Sequence, residues 1–282
     1  MIAVVDYQKG NLKSVERGLI AAGGEALITA DASEIAKADA IVLPGVGAFA
    51  DAAATMCELG QMEVIRERVR AGVPFLGICL GEHLMFEHGV EGAPEGNPAC
   101  GLGLLPGTVV AMPRCDAQGK AFKVPHVGWN TIEMPSCNGG VTVPPCGEGG
   151  GNAVLSSGGA GGGAARRSAA KRGLFEHGAF PGSAPQVGSE LAFPDSTPQP
   201  GSNLAFACPL FDGIAPGEYF YFTHSYIAPT GSHTIAETTH SVRFTSAVQF
   251  GECAFGVQFH PEKSSDAGAR VLANFVTIAA RG

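Results

Sequence analysis

Between Ile2 and Glu87 short apolar runs alternate with stretches of helical spacing, and this alternation restricts the fold more than any other feature of the chain. Ile2–Asp6 is a brief apolar run. From Asn11 the residues Leu12, Val15, Leu19 and Ile20 recur at helical spacing until Gly23-Gly24 stops them. Ala26–Thr29 and Ala40–Leu43 are further strand candidates. Gln61–Ala71 sets Met62, Ile65 and Val69 on one helical face ahead of Gly72. Val73–Cys79 reads as a buried strand, and a helix is expected from Leu80 to about Glu87. Strands separated by helices of this length predict βαβ units, hence an α/β fold with a largely parallel central sheet and helices on both faces. From Glu218 the pattern changes. Tyr219–Thr223, Thr234–Thr238, Val242–Phe250 and Ala254–Gln258 read as strands without intervening helices, an antiparallel or mixed addition to the sheet. Asp266–Ala280 closes the chain as a helix with Val271, Leu272, Phe275 and Val276 inward.

Composition decides where periodicity fails. Between 138 and 206 glycine and proline make up roughly a third of the residues, above the ~25–30% that marks low complexity. A structureless stretch of that length is foreign to the inside of a compact domain. The expectation is a single domain built from 1–137 and 207–282, with 138–206 as a disordered surface insertion. Arg166-Arg167 and Lys171-Arg172 inside it admit a docking patch or a solvated linker, the linker being the simpler reading. Over the whole chain 45% hydrophobic residues allow a sizeable core, and a formal net charge of -8 argues against a generic binder of nucleic-acid backbones. No run approaches the ~20 apolar residues of a membrane helix. Met1-Ile2-Ala3-Val4-Val5-Asp6 reaches an acid without a basic leader, so no signal peptide is expected. The eight cysteines form no C-x-x-C pair, and reduced thiols in the cytoplasm are the default.

The strongest chemical signal is Gly77-Ile78-Cys79-Leu80-Gly81, placed where a strand gives way to a helix. A sharp turn there would hold Cys79 in a strained backbone, with small residues two positions either side letting strand and helix approach. The helix N-terminus would favour a thiolate. A thiol nucleophile needs a base and the base an orienter. His260-Pro261-Glu262 follows the apolar run Phe255–Phe259, and an i,i+2 spacing in extended chain can put both side chains on one side. The backbone N–H of Leu80 is one candidate oxyanion donor, and Pro44-Gly45-Val46-Gly47, read by itself as a Pro-Gly turn, could bring a second. His83 and His88 lie about 140° apart on a helix and share no metal face. Trp129, the one tryptophan, and His126 suit a core role or a partner-facing role equally.

These pieces together resemble the class I glutamine amidotransferases, those with a Cys-His-Glu triad, and among them the glutaminase subunits of imidazole glycerol phosphate synthases. The resemblance rests on Asp6-Tyr7 with Gly10-Asn11, on Leu43–Phe49, on the elbow around Cys79, on Lys123–Asn130, on Tyr219–Tyr226 and on Gly256–Ser264. The stretches Pro125–Asn130 and Phe222–Tyr226 select the histidine-pathway branch. What the resemblance implies is hydrolysis of L-glutamine to glutamate and ammonia by a cytoplasmic enzyme that uses no cofactor and no metal. The ammonia would pass through a channel to a separate (β/α)8 cyclase subunit in a heterodimer, with neither nucleic acid nor membrane as partner. It implies Cys79, His260 and Glu262 as triad, N–H groups of Val46 and Leu80 at the oxyanion with Gly47 beside them, and His224-Ser225-Tyr226 around the glutamine backbone. Gly10, Asn11 and Trp129 would face the cyclase. It further implies a resting enzyme of low activity that the partner and its ligand switch on, for which a rotating peptide at Gly45-Val46-Gly47 is a sensible device.

One departure touches the site. The family usually has glutamine four residues after the nucleophile, where it helps hold substrate, and here His83 stands there. The expectation is an altered glutamine affinity rather than lost activity, so that His83→Gln changes the KM for glutamine. Two other readings stay open at this level: a different hydrolase on the same elbow, such as a cysteine peptidase or esterase, and a degenerate subunit that only docks and regulates.

Overall fold

The computed structural model describes residues 1–135 and 208–281. The expected insertion at 138–206 lies outside them. In chain order the first part comprises β1 (Ile2–Val5), α1 (Leu12–Ala21), β2 (Ala26–Thr29), α2 (Ala32–Ile35), β3 (Ala40–Gly45), α3 (Phe49–Glu58), α4 (Gln61–Arg70) and β4 (Phe75–Cys79). There follow α5 (Leu80–His83), β5 (Phe86–Gly89), β6 (Ala99–Cys100), β7 (Leu105–Ala111) and β8 (His126–Thr131). The last part holds β9 (Tyr219–His224), β10 (Tyr226–Ile227), β11 (Thr234–Thr239), β12 (Arg243–Phe250), β13 (Ala254–Val257) and α6 (Ser265–Ala279).

A seven-stranded sheet runs β11-β12-β13-β4-β3-β1-β2. The five strands from β13 to β2 are parallel, while β12 and β11 extend the sheet antiparallel. The expected parallel sheet with a mixed addition is thus the one observed. Its central strands are continuous apolar runs because both faces are covered. Alternate residues feed the two cores. Ile2 and Val4 of β1 meet Val15 and Leu19 of α1 and Val271, Leu272 and Phe275 of α6. Ala3 and Val5 point the other way, toward Phe49 and Met56 of α3 and Met62, Ile65 and Val69 of α4. Parallel strands also open their carboxyl ends on one edge, so the chain beyond β1, β3, β4 and β13 converges there, as ligand sites of open α/β sheets require.

Two local expectations are corrected. The helix after Cys79 is a single turn ending at His83, and Phe86–Gly89 is strand, not helix. Gly89 packs on the Phe49 ring where a Cβ would collide, and β5 pairs with both β6 and β7, so sheet pairing overrides the helical pattern. Pro44-Gly45 does not turn. It continues β3, with Gly45 opposite Cys79, and the chain bends only at Val46-Gly47, where Gly47 has φ 106°. The helix α3 and the smaller sheet β10-β7-β5-β6 go beyond the periodicity of the sequence, as does β8, which pairs antiparallel with β9 from His126↔His224 to Thr131↔Tyr219.

Candidate active site

The elbow has the strained geometry its sequence predicts. Cys79 ends β4 with φ 54° and ψ -105°, a conformation L-residues adopt only when the surroundings enforce it. The flanking glycines explain how. A Cβ on Gly77 would stand 2.5 Å from the Gly81 carbonyl oxygen, and one on Gly81 would overlap the Leu43 carbonyl oxygen. The strand, the turn and α5 therefore pack backbone against backbone. Leu80 is the first residue of α5, so its N–H has no intrahelical acceptor.

The His-x-Glu pair arrives from the neighbouring strand. His260 leaves β13 in extended conformation, and Pro261–Lys263 then forms a 3₁₀ turn, so Glu262 reaches back from a turn rather than along an extended chain. Nδ1–H of His260 donates to Glu262 Oε1 at 3.0 Å, with both side chains buried. The His260 backbone is pinned as well. Its N–H donates to the Tyr221 carbonyl at 2.9 Å, and its carbonyl accepts from Ser264 Oγ–H at 2.6 Å. The opposite nitrogen, Nε2, is buried with no partner at hydrogen-bond geometry. Burial works against a charged ring, but the nearby Cys79 sulfur and the Glu262 carboxylate outweigh it and raise the His260 pKa to about 9. The sulfur is close enough to act on the ring's charge without completing a bond. Its own short contacts are the Thr223 carbonyl at 3.9 Å, to which the thiol donates, and Gln258 Nε2 at 3.7 Å.

A cleft of about 370 Å³ opens beside the thiol. Cys79, Leu80, Val46, Gly47, His83, His224, Ser225 and Tyr226 all line it, so the expected substrate-binding residues converge on one space. His260 and Glu262 lie behind Cys79, outside the lining. The segment 224–226 is fixed by a directional chain of bonds. Asn130 Nδ2–H donates to His126 Nε2 at 3.3 Å, His126 Nδ1–H to His224 Nε2 at 3.0 Å, and His224 Nδ1–H to the Tyr226 carbonyl at 2.8 Å. Burial holds His126 down to about 4, with His240 stacked on it adding to the effect, and pushes His224 well below its ordinary value. Both rings are therefore neutral, as the chain of bonds requires.

Glu91 also lines the cleft, and nothing in the sequence marks an isolated acid after a strand. Burial raises its pKa, opposed by the Phe49 N–H that bonds its carboxylate. Tyr7, which the sequence marks only through the resemblance, is a second neighbour. Its buried hydroxyl has no hydrogen-bond partner and fills the place a Gly45 side chain would take. Gly10 and Asn11 are exposed at the carboxyl edge beyond β1, and Trp129 is 50% exposed on β8 beside Val127. Of the core role and the partner-facing role open to Trp129, the structure excludes the core.

A profile of the family described as glutamine amidotransferase class-I matches residues 3–139. The imidazole glycerol phosphate synthase subunit HisH of Moorella thermoacetica is 35% identical over 276 residues, covering 97% of this chain and 93% of that protein. The HisH subunit of Rhodopirellula baltica is 33% identical over 279 residues, 98% and 97% of the two chains. Among solved structures a glutamine amidotransferase shares the fold with a TM-score of 0.56 at 15% identity, over 99% of this chain and 98% of that one. No helix among the described residues is long and apolar enough to cross a membrane. The chain belongs to the class-I glutamine amidotransferases, in the family of imidazole glycerol phosphate synthase HisH subunits.

Proposed function

We propose that the chain is the glutaminase subunit of an imidazole glycerol phosphate synthase, hydrolysing L-glutamine with Cys79 as nucleophile and His260 and Glu262 as base and orienter. The observation that carries this is the strained elbow of Cys79 at the mouth of the cleft, with the His260–Glu262 pair of 3.0 Å behind it. Glutamine enters with its side-chain amide over the sulfur. Its α-ammonium has Glu91 as an available carboxylate, and Ser225 and Tyr226 border its backbone. Cys79 attacks the amide carbon while His260 Nε2 takes the thiol proton, and the imidazolium is held by Glu262. The oxyanion is met by the N–H groups of Leu80 and Val46. Collapse of the tetrahedral intermediate breaks the carbon–nitrogen bond, and His260 returns its proton to the leaving ammonia. Water, deprotonated by His260, then cleaves the thioester to glutamate and regenerates the thiol.

Ammonia released here passes to a (β/α)8 cyclase subunit, with Gly10, Asn11 and Trp129 on the surface that meets it. A domain formed by 1–137 and 207–282, interrupted by 138–206, carries all of this machinery. The chemistry is tested by a glutamine-mimicking electrophile followed by mass spectrometry of every cysteine. Selective labelling of Cys79, blocked by glutamine, with glutamate release abolished in Cys79→Ser, is the expected result. Labelling elsewhere, or turnover that survives Cys79→Ser, would overturn the assignment.

A further inference from the structure

Gln258, the first residue past β13, is fully buried and its amide is engaged at both ends. Its oxygen accepts from His83 Nε2 at 2.7 Å, and its nitrogen donates to the Cys79 sulfur at 3.7 Å. An amide oxygen only accepts, so His83 Nε2 carries the ring proton and is committed to Gln258. Burial pushes the His83 pKa down to about 4, leaving the ring neutral with that single N–H. Beside it Glu82 Oε2 lies 3.8 Å from the same nitrogen. Glu82 is itself fully buried without a hydrogen-bond partner, and burial raises its pKa well above the usual carboxylate range. At 3.8 Å it is beyond hydrogen-bond distance, so the His83 proton stays on the 2.7 Å bond to Gln258.

The other groups acting on the sulfur are His260 beyond β13, Tyr7 beyond β1, and the Thr223 carbonyl on β9. Thiol and thiolate use them differently. The S–H can donate to Thr223, whereas a thiolate has only acceptor capacity and takes the Gln258 N–H. A free amide at 258 could turn over and present its oxygen to the sulfur, which would repel the thiolate. The His83 N–H forbids that orientation.

We propose that Gln258 is a positioning residue for the nucleophile: braced by His83, its amide N–H holds the deprotonated Cys79 sulfur in the attacking position. This rests on the reading of Cys79 as the nucleophile. It gives the histidine at 83 a task at the sulfur besides bordering the substrate, through a residue that follows β13 rather than the elbow's own strand.

The test is site-resolved iodoacetamide labelling of Cys79 against pH in the full-length protein, with kcat and KM for glutamate release measured alongside in the presence of the cyclase partner. Gln258→Met keeps the bulk and removes the donor. It is expected to move the labelling midpoint up by about one pH unit, tenfold in thiolate population, and to lower kcat by a similar factor with KM unchanged. His83→Leu should reproduce the shift, and His83→Gln, whose amide N–H reaches the same acceptor, should restore the wild-type midpoint. A folded Gln258→Met protein with the wild-type midpoint and kcat would overturn the proposal, as would identical midpoints in His83→Leu and His83→Gln. Wild-type Cys79 that does not label at all would overturn the nucleophile assignment instead.

Discussion

Gly81 carries its role in its spacing. Two positions after Cys79 it reads as the second small residue of an elbow, and the structure supplies the reason, a Cβ position already occupied by the Leu43 carbonyl oxygen. Gly81→Ala must therefore push backbone against backbone. The expected loss is ~3 kcal/mol or more, at the upper end of overpacking costs, read as a lower urea midpoint, and a midpoint equal to wild type would contradict this packing. The His260–Glu262 pair is equally legible because its two members are neighbours in sequence. Gln258 and His83 are not, being 175 residues apart and joined only by β13 passing beside the elbow. His83→Gln also separates two effects at one position. KM should change because His83 lines the cleft, while Cys79 reactivity should persist because glutamine can still brace Gln258.

Among the elements, those with strong periodicity are visible in the sequence and those held by pairing are not. α1 and α4 carry contrasting faces, and of the five parallel strands β1, β3, β4 and β13 are unbroken apolar runs. α3 is alanine-rich, so its buried Ala52 and Ala53 stand out little from half-buried Ala50 and exposed Ala54. β8 defeats a pattern search because Val127 and Trp129 face outward while His126 is buried. That inward histidine, with His224 and His83, gives the fold an acid sensitivity. All three have folded-state pKa values below the ordinary 6.5, those of His83 and His126 at about 4. The folded state favours the neutral ring, so below pH 6.5 the unfolded chain binds more protons. Stability is fully present above that pH and is lost as pH falls toward 4. His83 contributes on the order of 3 kcal/mol to this loss, at about 1.36 kcal/mol for each pH unit between its ordinary and folded values. His260 has the opposite sign. Its pKa of about 9 favours the folded state below pH 6.5, an advantage that disappears as pH rises through 9. Urea titrations at pH 7, 5.5 and 4.5 should show a falling unfolding free energy, with the fall reduced in His83→Gln. A flat profile across that window would contradict buried neutral histidines.

At the scale of the whole molecule, the parallel sheet is what assembles the site. Cys79, Val46 and His260 come from three strands whose carboxyl ends share an edge, so strand order alone brings them together. The alternation of strands and helices makes that edge predictable, but not the order β13-β4-β3, since β13 inserts beside β4 from nearly the other end of the chain. The residues proposed for catalysis lie within 1–135 and 208–281, and deletion of 140–203 is expected to leave a folded protein with glutaminase activity. A folded deletion variant without activity would refute that independence. Whether this edge hydrolyses glutamine for a partner is tested most directly by glutamate release from the purified chain, alone and with a histidine-pathway cyclase and its ligand. Low release alone and strong release together is the predicted result. Equal release in both would remove the coupling to the partner, and no release in either would contradict glutamine hydrolysis at this site.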